Sequence, residues 1–346
     1  MQIVNYDDPL WKITLNKLSE NYQDIFYKQE FAQLCQKSIY TKHKIKCAVV
    51  SCIYGFLLYP FILRKFTYGG IEEFYDITSL YGRGGVISNI KNSNIINEFF
   101  NEFNLYCKKE KIVTAFDRFH PIIKNDKFIS TKTEVVRIGD FAYIDLTNNI
   151  SNLKKNFADG HKKSIKKAEN NNIKIFFENN LNHLDDFLSI YSASMEQKKA
   201  DNFYYFNKEF FNNLNNFLKD NYSFFYAVYN GKIISCELIL HNKFYSHSYL
   251  GSTINEYKHL CSNHLLKFEI IKYCKDQENK FYLLGGGIKP NDGIYKYKLG
   301  FSSKNYTSLI GKTIFDQKKY FDIKCYFNKK KLNESSNFQF YENNSI

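Results

Sequence analysis

The stretch at residues 281–303, FYLLGGGIKPNDGIYKYKLGFSS, decides how this chain is read. An apolar strand signal at 281–284 runs straight into Gly285, Gly286 and Gly287, then a Pro290-Asn291-Asp292-Gly293 turn, then a second strand-like segment ending at Gly300-Phe301. Three glycines at a strand end are costly in entropy unless the backbone needs positive φ or something must come close. A tight turn between two strands and a backbone-lined ligand loop both satisfy that condition. The dinucleotide and P-loop patterns fail: Pro290 stands where the third glycine belongs, Lys289 is followed by proline, and no amphipathic helix follows. With residues 295–299 extended, Lys296 and Lys298 share one face, and Tyr295, Tyr297 and Leu299 take the other. Asp292 lies close by in sequence.

At 346 residues the chain exceeds what one core usually serves, so two domains are expected. Hydrophobic content of 44% with 18% aromatic residues marks a globular chain, not a disordered one. The net charge of +13 points to a polyanionic partner such as RNA, a nucleotide-linked substrate or an anionic membrane surface. The abundance of Lys, Asn, Ile, Tyr and Phe is also what an AT-rich genome writes at permissive positions, so part of that charge reflects codon usage. The eight cysteines show no C-x-x-C pair or metal-ligand spacing and read as reduced thiols of a cytoplasmic protein. The start of the chain has no signal-peptide pattern. The charge-free run at 47–63 is interrupted by Gly55 and Pro60 and reads as two buried strands rather than a membrane helix.

Helical periodicity covers much of 10–40 and 95–109, and strand signals fall at 46–51, 56–64, 112–116, 134–138 and 142–146. Residues 73–88 read as a loop in which Gly82, Gly84 and Gly85 surround Tyr81 and Arg83. Arg118 and His120 belong to a polar cluster at a strand end. Composition turns polar at 147–150, which places a domain boundary there: 1–147, 148–328, and a flexible tail at 329–346. The second half opens with a cationic helix in which Lys163 and Lys167 stack on one face, either a solvated face or a phosphate-binding one. It continues with a strand at 173–177, helices at 184–198 and 208–220, strands at 223–229, 232–241 and 243–252, and a helix at 263–275. The two halves repeat one outline without a visible sequence repeat.

With these residues in view, the chain resembles the FemAB-type and BioF2-like branch of the GNAT acyltransferase superfamily. The resemblance is carried by Tyr75-Asp76-Ile77-Thr78-Ser79 with Tyr81-Gly82-Arg83-Gly84-Gly85, Arg118-Phe119-His120-Pro121, Ile144-Asp145-Leu146 and the His161 to Ala168 helix. It continues through Phe203-Tyr204-Tyr205-Phe206, Asn263-His264-Leu265-Leu266, and Leu284-Gly285-Gly286-Gly287 with Lys298-Leu299-Gly300-Phe301. It implies an α/β fold with mixed sheets, tandem GNAT-like domains of which the N-terminal one is degenerate, and acyl transfer to an amine. No cofactor is held permanently; acyl-CoA or aminoacyl-tRNA is the implied co-substrate. The implied acceptor is a nucleotide- or lipid-linked amino-sugar or peptide precursor of the cell envelope or surface polysaccharide, compatible with peripheral membrane contact. By the same resemblance Tyr205 and Arg83 stand on the acceptor side, and Lys298 matches the lysine of a K-x-G-F signature. Two departures are visible: residues 253–262, TINEYKHLCS, lack the glycines of a CoA phosphate loop, and Lys296 stands where many members carry a general-acid tyrosine.

Amine acylation needs a proton route, donors for the developing oxyanion and positioning of both substrates. Glu237, inside an apolar strand, is one base candidate, against the alternative that it pairs with a lysine. His247, alternating with Tyr245 and Tyr249, is a second, and Lys296 and Lys298 could neutralise donor phosphates. A peptidoglycan-bridge-type aminoacyltransferase using tRNA, and a non-catalytic RNA- or nucleotide-binding module, compete with the acyl-CoA reading.

Overall fold

The computed structural model describes residues 1–68, 72–287, 292–302, 304–329 and 338–339. Two compact units emerge, one of residues 1–138 with 308–346, the other of residues 139–307.

In the first unit, β1 (Gln2–Asn5), β2 (Lys44–Cys52), β3 (Gly55–Tyr68) and β4 (Glu72–Thr78) form successive antiparallel pairs. The short β5 (Ile87–Ser88) pairs with β3. Then β6 (Ile112–Arg118) runs parallel to β4, and a strand from the far end of the chain lies antiparallel to β6, matching Ile310 to Arg118 and Ile314 to Thr114. Helices α1 (Pro9–Leu15), α2 (Gln29–Ser38) and α3 (Ser93–Lys109) flank these strands. On α3, Ile96, Phe99, Phe103 and Cys107 recur at helical spacing and are buried against Tyr59, Phe61 and Ile112 of the sheet.

The second unit repeats the pairing pattern. Its strands are β7 (Thr133–Asp145, of which 139–145 belong here), β8 (Lys174–Glu178), β9 (Tyr222–Tyr229), β10 (Lys232–His241), β11 (Tyr245–Thr253) and β12 (Phe281–Gly285). From β8 to β11 the neighbours are antiparallel, β11 and β12 are parallel, and β12 and β7 are antiparallel. Helices α4 (Ile150–Lys155), α5 (Asp159–Asn170), α6 (Leu184–Gln197), α7 (Lys208–Leu218) and α8 (Ser262–Asp276) follow in chain order. Alternation along β9 sends Phe225 into the core with Ile165, Leu266 and Ile270, while Phe224 meets Phe187 and Phe211 of α6 and α7. The short α9 (Gly293–Leu299), β13 (Asn305–Ile314) and α10 (Gln317–Lys329) complete the chain.

The duplicated outline expected from the sequence is therefore present, with one difference. The last strand does not stay with the second half: residues 308–314 pair with β6, and Ile323 of α10 packs on Phe66, Phe74 and Val113, so 308–329 join the first unit. The expected division at 147, with 148–328 as one domain, shifts accordingly, because strand pairing is decided by non-local hydrogen bonds that composition does not report. Of the expected flexible tail, only Lys329, Phe338 and Gln339 are described beyond 328, and the last two are anchored. Gln339 is buried, accepts from Arg64 at 2.8 Å and donates to the Ile77 carbonyl at 3.1 Å. Positions 330–337 and 340–346 lie outside the described residues.

Two further expectations change. The first part of the expected loop at 73–88, residues 73–78, is strand β4, held by the Arg64 guanidinium, which grips the buried Asp76 carboxylate with two bonds of 2.6 and 2.7 Å. The strands expected at 134–138 and 142–146 are one continuous β7, since Gly139 takes φ +142° without breaking the strand. All eight cysteines are free thiols, five of them buried, and no described helix is long and apolar enough to cross a membrane.

Candidate functional site: a wedge between two parallel strands

Strands β11 and β12 pair over three residues only, Tyr245 with Phe281, Ser246 with Tyr282 and His247 with Leu283. Immediately beyond, each strand carries an extra residue relative to its outer neighbour. The β10–β11 register shifts between Leu238 and Ile239, leaving Tyr249 unmatched; the β12–β7 register shifts between Leu283 and Gly285, leaving Leu284 unmatched. A bulge bends the strand that holds it. Two bulges on the outer sides, at the same level, splay a parallel pair. Among the described residues, 248 and 250–253 have a ladder partner on the β10 side alone, so backbone amide and carbonyl groups line one wall of a wedge.

At the open end of β11 the chain makes a 3-10 turn, Asn255–Leu260, and enters α8 through Cys261, which sits in the left-handed region at φ +59°. Residues 253–262 lack glycine, and Cys261 holds this left-handed conformation at a strain of about 1 kcal/mol or more. Ser262, the first residue of α8, is completely buried, and its Oγ has no hydrogen-bond partner among the described residues. Beside this hydroxyl the His264 amide bonds the Cys261 carbonyl at 2.9 Å, and helix starts of this kind favour negative charge.

At the wedge's inner end lies a buried polar network. Glu237 of β10 receives three donors on one oxygen, Oε1: Lys267 Nζ of α8 in a very short ion pair, Ser248 Oγ at 2.7 Å and Tyr282 OH at 2.7 Å. Lys267 also donates to Ser248 Oγ and Tyr282 OH, each at 3.0 Å. Burial, then the neighbouring Glu237 charge, pushes the Tyr282 hydroxyl far up from its ordinary range. Glu237 is thus committed to a lysine and two hydroxyls, the alternative that its apolar strand left open. Ser248 faces α8, so by alternation His247 faces the opposite side of the sheet, with Tyr245, whose ring centroid is 6.4 Å away.

The glycine run closes the other wall. Gly285 takes φ +93°, and a Cβ on Gly287 would collide with the Asp292 carboxylate. Gly286 has no positive φ; its constraint is the Asp140 carbonyl, 3.0 Å from where a Cβ would stand. Residues 295–299, expected as a strand, are helix α9, because Asp292 Oδ1 caps it by accepting from Tyr295 N at 2.8 Å. Lys296 and Lys298 then sit at a helix C-terminus, where cations are favoured. Lys298 Nζ donates to the Gly286 carbonyl at 2.8 Å and so holds the end of the glycine run; Lys296 is exposed. The Pro290-Asn291 part of the expected turn lies outside the described residues.

Next to the α8 start, His161 of α5 and His264 of α8 meet edge to face at 4.8 Å, packed on Tyr297 and Phe301. His161 Nε2 reaches the Tyr297 carbonyl at 2.8 Å. Burial lowers both imidazoles, and for His264, where proximity to His161 adds to burial, the value falls to about 4. Their folded-state affinity for protons is below that of the unfolded chain. The stabilisation is full above pH 6.5 and drains away as pH falls towards 4. His264→Phe should therefore lose about 2 kcal/mol less stability than the parent between pH 7 and pH 4.5 in paired urea titrations, after discounting for partial exposure. Parallel curves would show that the imidazole pair does not titrate with folding.

The remaining expected site residues lie elsewhere. Lys163 and Lys167 are exposed along α5, and Tyr205 follows a turn before α7 with 39% of its surface exposed. In the first unit Tyr81 is half-buried, and Arg83, lowered to about 10 by burial and then by Arg118, reaches the Phe119 carbonyl at 3.4 Å. Arg118 is exposed and lies over the Phe116 ring. His120 is completely buried: Nδ1 accepts from the amides of Ile122 and Ile123, and Nε2 faces Asp24 at 3.2 Å. Sequence reasoning missed Lys267, Tyr282 and Ser262. Lys267 had left a signal, a lone cation in line with Ile270, Ile271 and Cys274 on the buried stripe of α8.

A family model for the acetyltransferase (GNAT) domain matches residues 155–299, the span that holds the wedge. No curated protein matches the chain. Among solved structures, FemX is similar over 93% of this chain and 100% of its own, at 11% identity and a TM-score of 0.71. A tandem GNAT protein from the clavulanic acid biosynthesis pathway is similar over 91% and 98%, at 9% identity and a TM-score of 0.53. The C-terminal domain of a putative lysylphosphatidylglycerol synthetase from Agrobacterium fabrum is similar over 86% and 92%, at 11% identity and a TM-score of 0.52. Residues 155–299 thus match the GNAT acetyltransferase domain model, and the chain shares its fold with FemX and a tandem GNAT protein.

Proposed function

We propose that residues 139–307 bind an acyl-CoA thioester in the wedge between β11 and β12 and transfer its acyl group to an amine. The observation that carries this reading is the splay itself: parallel strands that separate after three pairs offer free peptide groups to an extended, amide-bearing arm, as an added strand would use them. The start of α8, with Ser262 and the amides that follow it, receives the donor's pyrophosphate. Lys163 and Lys167 add a salt-sensitive attraction from α5.

The amine nitrogen attacks the thioester carbon at the apex of the wedge. A C–N bond forms, the C–S bond breaks, and the CoA thiolate leaves. The amine's proton passes to His247, on the sheet face away from the Glu237–Lys267 network, and from there to the departing sulfur. Glu237, Lys267 and Tyr282 act as positioning residues that hold the strands at the separation the donor needs. Lys298 does the same for the glycine run. The acceptor in this reading is an amine of a cell-envelope or surface-polysaccharide precursor, as the family resemblance implies.

Calorimetric titration with CoA and with charged aminoacyl-tRNA tests the reading. Micromolar CoA binding that weakens with added salt, and weakens less in a Lys163→Gln/Lys167→Gln variant, is expected. Binding of tRNA alone would replace acyl-CoA with an aminoacyl donor, and binding of neither would remove the wedge as a donor site.

A further inference from the structure

The first unit holds a slot that the acyl-transfer reading does not use, and the chain's own end occupies it. Beyond α10, Gln339 is 3% exposed. Its carboxamide oxygen accepts from the Arg64 guanidinium of β3 at 2.8 Å. Its nitrogen donates to the Ile77 carbonyl of β4 at 3.1 Å and to Thr114 Oγ1 of β6 at 3.4 Å. The oxygen and both N–H groups of a primary carboxamide thus each meet a partner of the right kind. Phe338 is received as well. Tyr320 OH donates to its carbonyl at 3.0 Å, the Tyr320 ring lies 5.8 Å from its ring, and Lys312 Nζ stands 5.7 Å from its ring centre.

The groups that make the slot are held by contacts outside the tail. Arg64 is fixed by its two bonds to the buried Asp76, and Ile77 and Thr114 lie in paired strands. Tyr320 belongs to α10, which Ile323 anchors on Phe66, Phe74 and Val113. A site preformed in this way costs its ligand little ordering. It also selects. A glutamate in place of the glutamine could not donate to the Ile77 carbonyl, and its charge would share the Arg64 nitrogen that already serves Asp76.

We propose that this slot is a binding site for a peptide carrying an aromatic residue followed by glutamine, and that the chain's own Phe338-Gln339 is its ligand in cis, exchangeable for an outside peptide of the same pattern. The tether from Lys329 to Phe338 keeps the tail at an effective concentration on the order of 1 mM, so an outside peptide of about 0.1 mM affinity is held back roughly tenfold. The slot lies wholly in the first unit, and its test does not involve acyl transfer.

The probe is a peptide of residues 334–343, ESSNFQFYEN, labelled at its N-terminus and followed by fluorescence anisotropy. It is titrated with the full chain and with a full-length Phe338→Ser/Gln339→Ser variant, whose own end no longer fills the slot. The variant should bind the peptide at least about tenfold more tightly than the parent, where the cis tail competes. The same peptide carrying Gln339→Glu should bind the variant at least about tenfold more weakly. Should the double variant not fold, Gln339→Ala makes the same comparison. A peptide that binds parent and variant alike overturns the occupancy in cis, and one that does not bind the variant overturns the slot. A Gln339→Glu peptide that binds the variant as well as the original, or better, would make Arg64 an anion site and overturn the assignment.

Discussion

Replacing Lys267 by Met is expected to destabilise the protein by about 3 to 5 kcal/mol, as other broken buried ion pairs do. Lys267 is 4% exposed, and its ammonium is the cationic partner of Glu237, itself 7% exposed. Without it, a carboxylate remains in a low-dielectric interior with only Ser248 and Tyr282 as donors. Removing both charges together should be far milder. Lys267→Met/Glu237→Leu should recover all but about 1 to 2 kcal/mol, since an apolar pair of similar volume replaces the ionic one without a desolvation cost. Urea unfolding of the parent, both single variants and the double variant gives the cycle. A Lys267→Met protein within 1 kcal/mol of the parent would mean that Glu237 is solvated and free to act as the base, contrary to the role assigned to it here.

Ser262→Ala should move stability and binding in opposite directions. In the ligand-free protein the hydroxyl is fully buried without a hydrogen-bond partner, so its removal relieves about 1 kcal/mol and raises the melting temperature slightly. In the donor complex the same hydroxyl is expected to bond a phosphate oxygen, worth about 1.5 to 3 kcal/mol, so CoA should bind roughly 10- to 100-fold more weakly. A serine placed for packing alone predicts the other pattern, a small stability change with CoA affinity intact.

The sequence shows periodic elements well and pairing partners poorly. Helix α3 and the strand pair β2–β3 follow from apolar spacing that only one conformation can bury. Strand β4 is hidden because Asp76 breaks its apolar alternation; only the facing Arg64, twelve positions earlier, makes a buried aspartate tenable there. Helix α9 is hidden because Tyr-Lys alternation over five residues fits a strand as well as a helix, and the choice rests on one cap from Asp292. The placing of residues 308–329 with the first unit leaves no local trace at all. The site is half legible. Three glycines and a glutamate in an apolar strand could be picked out, and Lys267 could have been, from its place on an apolar stripe. Cys261 could not, since nothing in a cysteine announces a left-handed backbone.

Backbone hydrogen exchange with and without CoA tests the donor wedge most directly, because the groups assigned to donor binding are peptide amides that no substitution removes. The account predicts that CoA slows exchange in two segments of the second unit, 248–253 along the open side of β11 and 261–265 at the start of α8, and leaves the amides of β9 and β10 unchanged. CoA that binds while protecting neither segment, or that protects only the exposed face of α5, would contradict it.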